Sequence, residues 1–227
     1  ATDTELLTEN EKMIRDQFEQ IQKLNNNLLN MQRQLHKANA ALNQLNKDLN
    51  NRLVKDSLTG LVSRYQYRQE IELAIAGEPD KLGIFTFIDL DDFKSVNDNY
   101  GHRVGDAFLK GFADRLIKLP FQNLICMRIA GDEFGLYIHG YTEAGMAQFE
   151  QIWTAIRTIV LQDPIQTDQV AIQPVCSAGM AVYGKDTADV YDLIEYADHA
   201  MYRAKRSGKN TWRAHEKAPD RQNGQPG

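Results

Sequence analysis

The sequence predicts an α/β protein of the α+β kind, a ferredoxin-like sandwich with a mostly antiparallel central sheet under helices, preceded by a long parallel coiled-coil helix. Three observations carry that prediction. Apolar residues recur every seven positions through the N-terminal quarter, a strand, helix, strand, strand, helix, strand, helix order follows, and the composition changes sharply between the two parts. No glycine precedes Gly60, no proline precedes Pro79, and Phe18 is the only aromatic residue in 1–55. The 227 residues carry 26 Lys and Arg against 31 Asp and Glu, a net charge of −5. Residues 1–55 hold 8 basic and 7 acidic side chains, which leaves 18 and 24 for the rest. An acidic body is poorly suited to nucleic acid, because neutralising phosphates needs a basic face.

In the lead segment one row of the heptad is Leu7, Ile14, Ile21, Leu28, Leu35, Leu42 and Leu49. The second, three residues later, is Asn10, Gln17, Leu24, Met31, Ala38, Leu45 and Arg52. A strict seven-residue period makes two helices supercoil so that the seam stays buried, and the Asn- and Gln-rich remainder could not cover a globular core. Residues 1–55 therefore read as a dimerising and signalling rod. Asn10, Gln17, Ala38 and Arg52 interrupt the second row, which predicts a soft seam with two packings close in energy.

In the body, Asp56–Leu61 breaks the heptad with turn-forming residues, and Arg64–Ala76 resumes a helical pattern before Gly77 and Pro79. Leu82–Leu90 is a buried strand ending in acid. Gly105–Leu119 is an amphipathic helix stopped by Pro120, Leu124–Ile129 and Phe134–His139 form a hairpin, and Glu143–Leu161 is a helix. Val170–Tyr183 is a strand in which Pro174 indicates an edge or bulge, and Asp189–Lys205 is a helix closed by Gly208. The polar segment 214–227, with Pro219 and Pro226, reads as a disordered tail. No apolar run approaches the roughly 18 residues of a membrane-spanning helix, and no signal-peptide pattern is present. Cys126 and Cys176 sit inside apolar runs as reduced thiols, which suits a cytoplasmic protein. The helical pattern starts within a few residues of Ala1, as expected of a piece of a longer chain.

Carboxylates gather at two places. Asp89, Asp91 and Asp92 close the first strand, and Asp132 and Glu133 sit at the hairpin tip. A tip facing a strand end can bring Asp89 and Asp132 together. Carboxylate oxygens at a site that also accepts phosphate are the hard ligands Mg²⁺ prefers, and two such ions can activate a hydroxyl while holding a phosphoryl oxygen. Taken separately, Asp-Gly is also a good turn, and Asp91 and Asp92 also begin a loop. Two other motifs fail on detail. Asp89-x-Asp91 starts like a calcium loop, but Phe93 and Lys94 occupy positions that need a ligand and a glycine. Gly179 to Lys185 has the spacing of a phosphate-binding loop, but Asp186 stands where Ser or Thr is required.

Four stretches, read in order, resemble the signatures of the GGDEF family, the diguanylate cyclases: 56–64 (DSLTGLVSR), 89–106 (DLDDFKSVNDNYGHRVGD), 128–134 (RIAGDEF) and 197–210 (ADHAMYRAKRSGKN). The likeness covers about residues 54–213 and assigns 56–213 to a cyclase domain with the palm-type nucleotidyl cyclase sandwich. It implies that two GTP molecules, one per protomer of a homodimer, are joined into cyclic di-GMP with release of two pyrophosphates. By position, Asp89 and the Leu90 carbonyl match Mg²⁺ ligands, with Mn²⁺ as an alternative metal. Asp132 matches a metal ligand and the proton acceptor for the 3′-hydroxyl, and Glu133 a further acidic ligand. Lys94 matches the lysine assigned to transition-state charge, Asn97 and Asp106 the pair that reads guanine, and His102 a nucleotide contact. Lys205 and Lys209 match cations on the triphosphate, and backbone N–H groups at Asp92 and Phe93 match its cradle. Such domains imply a sensor upstream.

The sequence departs from the family pattern at three places. Ala130 stands where the signature usually has its first glycine, which adds one methyl group. Ser63 and Tyr65 replace a common Asn and Arg in the turn after the rod. Phe121-Gln-Asn-Leu124 stands where the family's product-inhibition site has Arg-x-x-Asp, so it lacks both the guanidinium and the carboxylate. The alternative reading is a catalytically inactive module that binds GTP and signals to a partner.

Overall fold

The computed structural model describes residues 3–52 and 54–216, with α1 side chains described at Met13, Arg15 and 17–43. Leu7, Asn10, Ile14, Leu45, Leu49 and Arg52 of the heptad rows, and 217–227 of the expected tail, lie outside the described residues. The chain divides into two compact units between Arg52 and Leu53.

The first unit is one helix, α1 (Asp3–Arg52), of 50 residues. At ~1.5 Å per residue it is about 75 Å long. No glycine or proline interrupts it, and Ala, Leu, Gln and Lys supply the propensity. Ile21, Leu24, Leu28, Met31, Leu35 and Leu42 are each more than half exposed along it. Among the described residues the heptad is thus an exposed apolar row.

The second unit contains α2 (Tyr67–Gly77), β1 (Leu82–Leu90), α3 (Phe93–Tyr100), α4 (His102–Leu116), β2 (Leu124–Ala130), β3 (Glu133–Tyr141), α5 (Met146–Ala155), β4 (Ile165–Gln166), β5 (Ala171–Ile172), β6 (Cys176–Tyr183), α6 (Val190–Arg206) and β7 (Trp212–Ala214). The main sheet has the order β2-β3-β1-β6-β7. Its pairs are antiparallel except β6–β7. The predicted sandwich is therefore the observed one. β1 sits at its centre, buried on both faces because alternate residues serve two cores. Ile84, Ile88 and Leu90 pack with Phe108, Phe112 and Trp153 under α4 and α5, and Phe85 and Phe87 pack with Ile71, Leu193 and Met201 under α2 and α6. The period of two then puts Asp89 on the α6 face.

Several boundaries differ from those the sequence predicts. Asp92 turns into the left-handed region at φ 57° and starts α3, which the pattern did not anticipate, and α4 starts at His102 rather than Gly105. α2 starts later than Arg64, because 54–66 forms a turn clipped to β2: Val62 N–H donates to the Cys126 carbonyl and Arg128 N–H to the Val62 carbonyl. Pro174 splits the predicted long strand into β5, which pairs with β4, and β6. α5 is shorter than predicted and runs into one π-helical turn, Ile156–Val160, whose end is held by Arg115 donating to the Val160 and Pro164 carbonyls, both at 2.8 Å. Asp189 caps α6 by accepting from Tyr191 and Asp192 N–H. Ala214 and His215, which the sequence assigns to the tail, are ordered: Ala214 closes β7 and His215 N–H donates to the Met180 carbonyl. Both cysteines are buried, and burial pushes the Cys126 thiol up to about 12 and Cys176 higher still.

Candidate active site

The site is assembled at one end of the sheet, where β1 stops, the β2–β3 hairpin turns and α6 ends. Asp89 pairs with Glu133 on one side and Ser177 on the other in the ladder, so their side chains share the α6 face. The Leu90 N–H donates to the Asp132 carbonyl at 3.2 Å, which fixes the hairpin tip to the end of β1. Asp91 is a strut that the sequence did not distinguish from its neighbours. Its N–H donates to the Val175 carbonyl, and its carboxylate accepts from Ser177 Oγ at 2.9 Å and from Asn210 N–H at 2.9 Å. Two chain segments, the start of β6 and the loop after α6, converge on this one residue.

Beyond Asp91 the chain enters α3. The Phe93 ring is buried and stacks on Phe108 with centroids 6.1 Å apart, so only its backbone faces the site. Asn97 Oδ1 lies against Gly105, where a Cβ would meet it at 2.0 Å, which joins the α3 residue to the one preceding Asp106. Lys94, His102 and Asp106 are exposed on or near the first turns of α3 and α4 and take no ion-pair partner among the described residues.

The cations come from α6 and the loop after it. Lys205 Nζ lies 2.6 Å from Asp89 Oδ1, and Lys209 Nζ lies 2.6 Å from Asp92 Oδ1. Lys209 and Asn210 both have positive φ, at 60° and 47°. Burial holds the Asp89 carboxyl above the usual carboxylate range; Lys205 opposes this, while Asp132 and Asp91 add to it. Burial also raises Glu133, helped by the charges of Asp89, Asp132 and Asp198 against Lys205. Asp198, two turns before Lys205 on the same face of α6, is thus a fifth acid of the cluster, beside Asp89, Asp91, Asp132 and Glu133. The spacing of seven in the last signature stretch could have found it.

The residues suit a hard divalent cation of a particular kind. Asp89 Oδ1 is fully buried and receives no aligned hydrogen bond, so its only compensation is the Lys205 charge. Among the described residues no three His, Cys, Asp or Glu side chains converge as a ligand set. The acids at the strand end and the hairpin tip therefore form no closed cage, and phosphate oxygens and water would complete the coordination, the arrangement Mg²⁺ favours at nucleotide sites.

The hairpin tip is held from below. Arg128 donates from Nε and Nη2 to the Gly131 carbonyl at 2.9 and 2.8 Å, and from Nη1 to Asp56 at 3.0 Å. Asp56 also accepts from Thr59 N–H and Oγ1. These bonds hold the Asp56 carboxyl below its usual range in spite of its partial burial. Gly131 has φ +47°, whereas Ala130 does not have positive φ and pairs with Glu133. The left-handed conformation of the tip falls on the glycine this sequence retains.

A five-stranded, mostly antiparallel sandwich with strand-end carboxylates facing a helix-borne lysine has the architecture of the palm-type nucleotidyl cyclases. More narrowly, the chain belongs to the GGDEF family: the family described as "Diguanylate cyclase, GGDEF domain" matches residues 53–211. It is 36% identical over 160 residues to diguanylate cyclase DgcS of Shewanella oneidensis, covering 70% of this chain and 51% of that protein. It is 31% identical over 156 residues to the cyclic di-GMP phosphodiesterase PdeR of Escherichia coli, covering 68% of this chain and 23% of that one. The chain thus spans about half the length of the first relative and about a quarter of the second. The coiled coil and GGDEF domain of DgcB from Caulobacter crescentus, solved with c-di-GMP, superposes with a TM-score of 0.62 at 22% identity, over 84% of this chain and 98% of that one. No described helix is long and apolar enough to cross a membrane.

Proposed function

We propose that this chain is a diguanylate cyclase that condenses two GTP into cyclic di-GMP and two pyrophosphates across a homodimer. The observation that carries the proposal is the buried, incompletely satisfied Asp89 carboxylate, set beside Asp132 and Glu133 and facing Lys205. Each protomer holds one GTP, with Asn97 and Asp106 reading the guanine edge. An acceptor at Asp106 pairs with the N1–H and N2–H₂ donors, which adenine lacks. Asp132 takes the proton of the 3′-hydroxyl as its oxygen bonds to the α-phosphorus of the opposite nucleotide and the bond to the pyrophosphate oxygen breaks. The same step on the other side closes the ring. Lys94 neutralises charge that grows on the transferring phosphoryl group, and His102, Lys205, Lys209 and the N–H groups at Asp92 and Phe93 hold the nucleotide. Mg²⁺ or Mn²⁺, held by Asp89, the Leu90 carbonyl, Asp132 and Glu133, would polarise the phosphate and the attacking hydroxyl.

The uncovered apolar row of α1 supports the pairing of two chains as a parallel coiled coil. Linking two half-sites raises their effective concentration. An upstream sensor and a cytoplasmic setting belong to the same reading. Phe121 and Leu124, with Lys55, Leu61, Ile117 and Cys126, line an open cavity of about 290 Å³ at the position of the family's inhibitory motif, and its lining has neither an arginine nor a carboxylate. Product feedback through that motif is therefore absent, and cyclic di-GMP added to a steady-state assay leaves the rate unchanged.

Ala130 gives the inactive GTP-binding module its one argument. Incubation with GTP and Mg²⁺ separates the two readings. Cyclic di-GMP from the wild type and none from Asp132→Ala establishes the cyclase; GTP binding without product from either establishes the module.

A further inference from the structure

Lys205 is placed by packing rather than by a free choice of partner. α6 lies so close on β6 that a Cβ on Gly179 would meet the Ala197 carbonyl at 2.0 Å and the Met201 N at 2.1 Å. That contact holds the last two turns of α6 against the sheet face that carries Asp89 and Glu133. From there the Lys205 ammonium reaches Asp89 Oδ1 at 2.6 Å, with the lysine side chain 31% and the aspartate 9% exposed. The oxygen it meets is the buried one with no aligned hydrogen bond.

A divalent cation on Asp89 would sit on that same carboxylate, at about 2.1 Å from its oxygen for Mg²⁺. An ammonium and a dication cannot share it, because two like charges within a few ångströms in a half-buried site repel strongly. Nor does the ammonium leave without cost, since it would abandon a cluster of Asp89, Asp91, Asp132, Glu133 and Asp198 for solvent. A triphosphate removes that obstacle by offering the displaced lysine several anionic oxygens.

We propose that in the nucleotide-free protein Lys205 occupies the place of the divalent cation on Asp89, so that metal enters only together with the triphosphate that gives the ammonium its new partner. This rests on the reading of Asp89 as a metal ligand. Lys205 is then a positioning residue with two successive partners, and the order of assembly is built into the apo site.

The test is Mn²⁺ binding to the whole chain without nucleotide, read from loss of the free-ion electron paramagnetic resonance signal. Lys205→Met binds Mn²⁺ at least about tenfold more tightly than wild type, since a unit charge has been removed from beside the ion. Lys205→Arg keeps the charge and stays as weak as wild type. Lys110→Met, which removes an exposed lysine of α4, also stays weak. In Lys205→Met with Asp89→Asn the gain disappears. Far-ultraviolet circular dichroism checks the fold of each variant. The proposal is overturned if Lys205→Met binds no more tightly than wild type, if Lys205→Arg or Lys110→Met gains as much, or if the gain survives Asp89→Asn. A chain that makes cyclic di-GMP but shows no gain refutes this inference alone; one that shows the gain but makes no product refutes the cyclase alone.

Discussion

Glu133 carries a stability penalty that its proposed task requires. Its carboxyl is raised above the usual range by burial and by three neighbouring acids, so the protonated form is the one the fold favours. Stability from this group is complete below the ordinary carboxylate range and is lost as pH rises through the raised value. Glu133→Gln therefore melts at a higher temperature than wild type at pH 8, and the difference shrinks as pH falls through that value. Thermal melts at four or five pH values test this, and the same variant should lose product formation. Ala130 illustrates the opposite case, a departure with little structural weight. Because its φ is not positive, Ala130→Gly relieves no strain, and it changes the rate of product formation by less than about threefold, under ~0.7 kcal/mol of barrier. The sequence named the carboxylates because acid at a strand end and acid at a turn are visible as letters. It could not separate Asp91 from Asp89 and Asp92, because alternation assigns a face but not a partner. That Asp91 braces Ser177 and Asn210 while Asp89 meets Lys205 is decided by residues 86 or more positions away.

The strands and long helices follow from patterns that local chemistry controls. The buried strand Leu82–Leu90 and the helix that begins at Asp189 both survive into the structure. α3 was illegible because its eight residues, rich in Asn, Asp, Ser and Tyr, have weak helix propensity and start from a left-handed Asp92. The stacking of Phe93 on Phe108 and the junction with α4 hold it instead. β7 was also missed, since three residues paired in parallel at a sheet edge carry too little pattern to detect. Gly179 gained its meaning only in three dimensions. The spacing that imitated a phosphate loop is in fact the closest approach of α6 to β6. Gly179→Ala pushes the helix outward, lowering stability by about 1–3 kcal/mol in urea denaturation. It should also loosen the Lys205–Asp89 pair, so the variant binds Mn²⁺ more tightly without nucleotide than wild type does.

The whole chain joins a helix with an exposed apolar row to a domain that, on the proposed function, holds one nucleotide. Removing residues 1–53 leaves the second unit folded, because that unit is compact in itself and the buried residues of both its clusters lie within 61–201. The truncated domain is monomeric by light scattering, and its specific activity at micromolar concentration falls at least about tenfold, because the lost effective concentration exceeds what dilute domains supply. Full activity of a monomeric truncate would contradict this. Residues 54–62, which lead into the domain, do not behave as slack tether. Asp56 grips Arg128, and the same guanidinium grips the Gly131 carbonyl, so one planar group spans the entry turn and the acidic tip. A rigid fork of this kind transmits displacement rather than absorbing it. On the proposed function, a tug or twist delivered at the chain's entry would arrive at Asp132 as a change of aim, and a reaction that needs two opposed groups in line would be switched by misalignment, with no ligand of the site having to leave.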